Sequence, residues 1–567
     1  MRVAPDLPAV DKVFDYSVPQ AMDADVRVGT LVRISLHGRR VGGWVVADNV
    51  EPPDGVEVRP LSKVTGWGPA PEVIDVARWA AWRWAGPLPV VLRSASPPGA
   101  VRGLPASPPT RPPVSGPVDA LAEEALATER AVLRLPPATD PLPLLVAAAR
   151  RGTTLVVAPS VDDAGVLALR LRRAGLDIAV QPREWARAAA GGCVVIGARA
   201  TAWAPAPGLA AAIVLDAHEE VHQEERTPTW NAWQVVAERA RRAGVPCVLA
   251  TPCPTLEQLD WGTLLRPARG EERRGWPLVD VVDRRKEEFS AGLWSPRLVE
   301  LVRQGGRVLC VLNRKGRATL LACAACGELA RCERCAAAVE QQRDGEALVC
   351  RRCAAVRPRL CLACGSQRLK TVRIGVTRAR EELEALVGEP VGEVTSDDDA
   401  VPDTRVLVGT EAVLRRVRDA ESVAFLELDQ ELLAPRYRAA EQTMALLARA
   451  ARLVAGRSSG GRLLLQTRLP KHEVVDAVLH ADPGRLVEAE RARRVALRFP
   501  PVRALAAVSG EAADAYVAGV PESLERLGPD GGRWLLRAPD HRTLADALAA
   551  TPRPAGRLRI EVDPTRV

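Results

Sequence analysis

Cys323-Ala324-Ala325-Cys326, Cys332-Glu333-Arg334-Cys335, Cys350-Arg351-Arg352-Cys353 and Cys361-Leu362-Ala363-Cys364 are four CxxC pairs within forty-two residues, and they hold eight of the chain's twelve cysteines. Their spacing is C-x2-C-x5-C-x2-C-x14-C-x2-C-x7-C-x2-C. A CxxC turn aims two thiolates at one point, and two such turns complete a tetrahedral zinc site with Zn–S near ~2.3 Å. Eight ligands therefore predict two Zn²⁺ per subunit. The second and third pairs are separated by fourteen residues, an ordinary zinc-ribbon spacing. That leaves the outer pairs to close a second site around the first. Joining neighbouring pairs instead would squeeze two turns across five residues, which is harder though not impossible. All eight positions are thiolates, so neither metal keeps a position open for water or substrate, and both are expected to be structural.

A disulfide framework is the other use of so many cysteines, but such frameworks belong to small secreted domains. The start, Met1-Arg2-Val3-Ala4-Pro5-Asp6, lacks a basic-then-apolar signal, and no apolar run approaches the roughly 18 residues of a membrane span. Cys193, Cys247, Cys253 and Cys310 stand alone in apolar stretches and read as small core residues. A soluble cytoplasmic protein with no membrane partner is expected. Between Arg303 and Arg380, seventeen Arg or Lys face five Asp or Glu, a local +12 in a chain of net charge +8. A basic metal module inside an otherwise mildly acidic chain points to phosphate contacts, although a solvated arginine surface would look the same.

The 567 residues should hold about three to five domains. Alternation across Arg27–Leu36 and Val41–Val46, around a His37-Gly38 turn, reads as a small sheet or barrel, followed by a helix carrying Trp79, Trp82 and Trp84. Eight prolines between Pro97 and Pro117 mark an extended linker. Beyond it, apolar strands alternate with Ala/Arg/Leu helices: Ala131–Leu135, Thr154–Ala158, Cys193–Ile196, Ala212–Leu215 and Cys247–Ala250, then Val308–Leu312, Val406–Gly409, Val423–Leu428 and Leu463–Gln466. Such alternation predicts parallel α/β sheets. Arg533–Leu536, Leu544–Ala549 and Arg557–Val562 suggest a terminal α+β unit. The expected α/β architecture is an N-terminal β domain (1–96), a linker (97–127), and two lobes at 128–262 and at 285–320 with 366–477. A zinc-ribbon-type insert (321–365) lies in the second lobe, and an α+β domain (478–567) closes the chain. Two successive lobes of this kind suggest a helicase-type nucleotide-binding core.

The stretch Val13-Phe14-Asp15-Tyr16-Ser17-Val18-Pro19, then Leu312-Asn313-Arg314-Lys315-Gly316-Arg317 ahead of the CxxC pairs, resembles the PriA family of primosomal replication-restart proteins. So do Gly375-Val376-Thr377-Arg378 with Glu381-Glu382-Leu383, Tyr437-Arg438-Ala439-Ala440-Glu441-Gln442-Thr443, and Gln466-Thr467 before Pro470-Lys471-His472. Arg498-Phe499-Pro500-Pro501 and Arg559-Ile560-Glu561-Val562-Asp563-Pro564 complete the series in order. The resemblance implies a nucleoid-associated protein that recognises stalled or abandoned forks, remodels them and promotes primosome assembly. Its implied partners are forked DNA with a nascent 3′ end, single-stranded DNA-binding protein, other primosome components, and the replicative helicase or its loader. It also implies a 3′-end pocket built from Phe14, Asp15, Tyr16, Gly38 and Lys63. An ionised Asp suits a 3′-hydroxyl because it only accepts hydrogen bonds. Aromatic faces suit a base, at about 1–3 kcal/mol per stacked base.

The departures concern catalysis. Where the family would carry a glycine-rich phosphate loop ending Gly-Lys-Thr, this chain reads Pro136-Pro137-Ala138-Thr139-Asp140-Pro141-Leu142-Pro143, with four prolines, no glycine and no lysine. Proline offers no N–H to a phosphate. None of the six lysines in the chain follows a glycine. Ile213-Val214-Leu215-Asp216 keeps an acidic strand end, but Ala217 stands where the family's catalytic glutamate would follow, and a lone Asp there most often caps a helix. Val408-Gly409-Thr410-Glu411 continues as Leu414-Arg415-Arg416-Val417, a further motif survives only as Ala250-Thr251-Pro252, and Arg449, Arg452 and Arg457 give no assignable arginine finger. The linker leaves little room for the family's winged-helix domain. The expected function is fork recognition and helicase reloading without ATP-driven unwinding, with no catalytic or nucleotide-binding residue assigned. The alternatives are an active ATP-dependent 3′–5′ helicase and a zinc-ribbon regulator unrelated to restart.

Overall fold

Val32 and Ile34 point inward and Arg33 outward along Leu31–Leu36, as strand alternation requires, in a computed structural model that describes residues 1–566 other than 9, 11, 53–57, 107–118, 287–291, 313–319, 342–346, 372–375, 397 and 399. Leu31–Leu36 pairs with Arg39–Ala47 through a two-residue turn, His37 and Gly38, both at positive φ (49° and 77°) as a type I′ hairpin requires. The N-terminal sheet runs in the order Arg59–Pro60, Phe14–Ser17, Arg2–Pro5, Arg39–Ala47, Leu31–Leu36, Lys63–Gly66. Its two edge strands are consecutive in the chain. Leu61 N bonds Ser17 O at 3.0 Å and Ser62 N bonds Arg33 O at 2.9 Å, so the sheet curls round and closes on itself. Helices Pro71–Arg83 and Leu88–Ala95 follow.

The first lobe is a seven-stranded parallel sheet ordered Thr263–Leu265, Arg130–Arg134, Cys247–Thr251, Leu209–Leu215, Thr153–Val157, Val194–Gly197, Ile178–Val180. The second is a six-stranded parallel sheet ordered Leu278–Asp283, Arg462–Thr467, Ser422–Phe425, Val308–Val311, Val406–Gly409, Val391–Val394. Helices cover both faces of each sheet, which explains why the central strands read as unbroken apolar runs. Together they form two successive parallel α/β lobes. The expected strands are present with ends shifted by a few residues. At Val423–Leu428 the strand stops at Phe425 and the chain enters the short helix Asp429–Leu432. Ala120–Ala127, assigned above to the linker, is a helix capped by the Asp119 side chain, and it buries Ala122, Ala125 and Leu126 against the first lobe.

The cysteine-rich segment sits between Val308–Val311 and the helix Val376–Val387, within the second lobe. It docks there through Ala338 N to Leu433 O (2.9 Å) and Arg352 Nη2 to Ala434 O (2.7 Å). The C-terminal sheet is antiparallel, ordered Glu525–Asp530, Arg533–Ala538, Ala504–Ser509, Arg559–Val562.

A single buried cluster joins Trp44 and Trp84 of the N-terminal domain, Trp203 and Trp230 of the first lobe, and Leu544 and Ile560 of the C-terminal domain. Arg83 pairs with Asp563 at 2.7 Å and Thr229 Oγ1 donates to Val562 O at 2.9 Å, so the chain's two ends meet on the first lobe. Among the described residues no helix is long and apolar enough to cross a membrane.

Candidate metal centres, DNA-end pocket and interlobe cleft

Each CxxC pair forms the same knuckle. The amide of the residue just after each pair's second cysteine turns back: Gly327, Ala336, Ala354 and Gly365 donate to the carbonyls of Cys323, Cys332, Cys350 and Cys361 at 2.8–2.9 Å. The same four residues take left-handed backbone, with φ of 74°, 58°, 57° and 73°. The knuckles converge as two tetrads, Cys323/Cys326/Cys361/Cys364 and Cys332/Cys335/Cys350/Cys353, each with all its sulfurs within 4.8 Å of one another. This is the nested pairing, not the pairing of neighbours. Sγ–Sγ separations are 3.6 Å for Cys323–Cys364 and Cys326–Cys361, 3.5 Å for Cys332–Cys353 and 3.4 Å for Cys335–Cys350. Those values are far beyond a disulfide bond of about 2.05 Å. They lie close to the ~3.8 Å edge of a tetrahedron drawn with Zn–S of ~2.3 Å. Four thiols in this arrangement fit a zinc ion with no position to spare. The inner tetrad is mostly buried, whereas Cys326 and Cys364 leave the outer one open to solvent on one side.

Around the tetrads, Arg334, Arg368 and Lys370 are exposed, while Arg331 and Arg351 pair with Glu328 and Glu340. Arg352 points inward to hold the module on its lobe. Arg314, Lys315, Arg317, Arg343 and Arg373 lie outside the described residues, as do 313–317 of the Leu312–Arg317 motif and Gly375.

In the barrel, Asp15 lies opposite Arg2 on the neighbouring strand and accepts from its Nε (2.9 Å) and Nη2 (3.1 Å). The hydrogen bonds from Arg2 hold the Asp15 carboxyl below the usual range, so it is ionised and acceptor-only. Phe14 is half-buried. Tyr16 departs from the expected role as a stacking face. Its ring is buried in the barrel and its hydroxyl donates to Ser35 O at 3.0 Å, bracing the strand Phe14–Ser17 across to Leu31–Leu36. Lys63 is exposed and lies opposite Arg33 on the adjacent strand, a like-charge pair. Gly38 is exposed at the hairpin tip, where a Cβ would meet nothing within 4 Å. Its left-handed turn is thus a sufficient local reason for glycine.

The interlobe cleft carries the largest surprise. Along Pro136–Pro143 three of the four N–H groups are bonded within the protein: Ala138 N to Gly275 O (3.1 Å), Thr139 N to Pro136 O (2.9 Å) and Leu142 N to Asp140 Oδ1 (3.1 Å). The Asp140 carboxylate thus lies at the start of helix Leu142–Ala149, where a phosphate would be expected, and is itself clamped by Arg170 at 2.9 and 2.5 Å. Across the cleft, Arg452 grips Asp216 with two bonds of 2.5 Å and sends Nε to Pro137 O at 3.2 Å. Asp216 is therefore an ion-pair partner and not a helix cap. Burial disfavours its charge, but the Arg452 guanidinium outweighs burial and holds the carboxyl down at about 2. Arg449 pairs with Glu219 (Nε–Oε1 3.1 Å), and His218 Nδ1 contacts Thr251 Oγ1 at 2.9 Å. Arg449 and Arg452, which sequence alone left without a role, are thus tied to the first lobe. Their spacing along one helix face was the available signal.

Residues 2–97 match the family model described as the PriA 3′DNA-binding domain (3′BD). The chain is 29% identical to the probable replication restart protein PriA of Mycobacterium leprae (strain TN), across 92% of this chain and 90% of that protein. It is 26% identical to the replication restart protein PriA of Bacillus subtilis (strain 168), across 56% of this chain and 43% of that one. Among solved structures it resembles a DEAD box protein from the hyperthermophile Methanococcus jannaschii at 10% identity, covering 67% of this chain and 89% of that one, with a TM-score of 0.32. That last likeness is too distant to carry function. The N-terminal barrel thus matches the PriA 3′DNA-binding domain model, and the chain as a whole is similar to replication restart proteins PriA.

Proposed function

We propose that this protein recognises forked DNA bearing a nascent 3′ end and promotes reassembly of the replication machinery there, without hydrolysing ATP or unwinding DNA itself. The observation that carries the proposal is one of contrast. Residues 2–97 match the 3′DNA-binding domain model, whereas the cleft that would hold a nucleotide has three of its four backbone donors and its Asp216 engaged by the protein's own groups. Phosphoryl transfer depends on a phosphate cradle, a lysine and a correctly placed carboxylate acting together. Pro136–Pro143 offers neither glycine nor lysine, and Ala217 replaces the acid.

In this reading Asp15 accepts the 3′-hydroxyl proton and Phe14 offers the face for the terminal base. Lys63, with Arg33 beside it, meets a phosphate, which would relieve the repulsion between these two cations. Tyr16 supports the strand from within. Two zinc ions, one per tetrad, hold the second lobe's insert as a basic surface for DNA backbone and for primosome partners such as single-stranded DNA-binding protein or the helicase loader. Both are closed all-thiolate sites, so the metals stabilise and take no part in a reaction. Nucleoid association in the cytoplasm follows from this role.

The test is equilibrium binding of the zinc-loaded full chain to forks ending in 3′-OH or 3′-phosphate. A loss of about tenfold or more on 3′-phosphorylation is expected, from about 1.5–3 kcal/mol for a hydrogen bond to a carboxylate. Asp15→Ala should erase most of that discrimination. Equal binding of the wild type to both forks would overturn the proposed pocket.

A further inference from the structure

Arg438 at the N-cap and Gln442, Ala445, Arg449 and Arg452 of helix Ala439–Leu453 form one stripe, at the three- and four-residue steps that share a helix face. Four of them reach the first lobe. Arg438 holds Glu257 at 2.6 and 3.1 Å, Gln442 donates to Glu220, Arg449 pairs with Glu219, and Arg452 holds Asp216 at 2.5 Å through two bonds. Glu441, from the same helix, accepts the Leu256 N–H at 2.9 Å. Close approach reinforces the contact: Arg452 Nε also donates to Pro137 O at 3.2 Å, and a Cβ at Gly456 would lie 3.5 Å from the Ala138 Cβ. In a cleft that opened and closed around a nucleotide, the acidic strand end would have to be free. Here it is tied to the opposite lobe.

We infer that the helix Ala439–Leu453 is a built-in latch that holds the two lobes closed without nucleotide, making them one rigid frame. The barrel shares a core with the first lobe, and the metal module is docked on the second. The latch therefore fixes the spacing between the DNA-end domain and the metal module. This inference rests on the cleft geometry alone and stands whether or not DNA is the ligand.

Hydrogen exchange read by mass spectrometry on the zinc-loaded full chain tests it. In the wild type, peptides covering Leu215–His222 and Ala445–Val454 should exchange at the same rate with and without Mg-ATP. In Arg449→Ala/Arg452→Ala those peptides should exchange about ten- to thirtyfold faster, while barrel peptides stay unchanged. The charge swap Asp216→Arg/Arg452→Asp should recover most of the protection. Slower exchange of the wild type on adding Mg-ATP would overturn the latch, as would wild-type protection in the double alanine variant. If the double variant also loosens the barrel, the swap decides: recovered protection supports the latch, and its failure to recover overturns it.

Discussion

The inner metal knuckles hold alanine where the outer ones hold glycine, and the difference should be measurable as zinc affinity. Ala336 and Ala354 take φ of 58° and 57° and are exposed, so their methyl groups contribute little packing. A left-handed conformation costs a non-glycine residue about 1–2 kcal/mol. Glycine gives back roughly 0.5–1 kcal/mol through the backbone freedom it loses on folding. Each Ala→Gly change should therefore stabilise the folded knuckle by roughly 0.5–1 kcal/mol, and Ala336→Gly/Ala354→Gly together by about 1–2 kcal/mol. Because metal binding and folding of such a module are linked, that stabilisation should appear as a five- to thirtyfold gain in affinity at one of two sites, by the rule of about 1.4 kcal/mol per decade. The assay is chelator competition on the full chain, with the unchanged outer tetrad as internal control. The reverse change, Gly365→Ala, would place a Cβ with nothing within 4 Å, so it should weaken only the outer site, by about 1 kcal/mol of conformational strain. Unchanged or weaker inner-site affinity in the double glycine variant would refute the reasoning.

Three other outcomes can be checked directly. Tyr16→Phe removes the bond to Ser35 O and should lower barrel stability by about 1 kcal/mol without altering 3′-OH selectivity, as thermal unfolding and fork binding together will report. Cys350→Ser should reduce bound zinc from two equivalents to one by elemental analysis, and loosen the Arg352 contact to Ala434 O enough to raise exchange at Leu433–Ala434. Asp216 is held at about 2 against an ordinary 3.8, so its pairing contributes fully at neutral pH and fades as pH falls from about 4 to 2; with Arg452 half exposed, the loss should be about 1–2 kcal/mol, absent in Asp216→Asn.

The parts legible in the sequence were those specified locally. A CxxC spacing determines its own turn, so two four-cysteine sites could be read from cysteine positions alone, with nesting the easier of two pairings. The central strands of both lobes were visible as apolar runs because helices bury them on both faces. Edge strands such as Ile178–Val180, Thr263–Leu265 and Leu278–Asp283 escaped because they are short or only half buried, with weaker patterning. Barrel closure escaped too, since it depends on backbone bonds at Leu61 and Ser62, which no side-chain pattern announces. The absence of a glycine-rich loop at Pro136–Pro143 was plain from residue identity. What took its place was not: Arg452 meets Asp216 across 236 residues of chain, and only the folded lobes bring them together. Tyr16 shows the limit of motif reading, since nothing in its local sequence announced that its ring is buried and its hydroxyl bonded to Ser35 O.

The central claim is the proposal that this chain recognises DNA ends while its interlobe cleft, engaged by its own side chains, hydrolyses no nucleotide. Phosphate release from Mg-ATP by the zinc-loaded full chain, with and without forked DNA bearing a 3′-OH, tests it most directly. The account predicts a rate no higher than that of heat-inactivated protein under both conditions, and no revival by Ala217→Glu. Fork-stimulated hydrolysis above that control would contradict it.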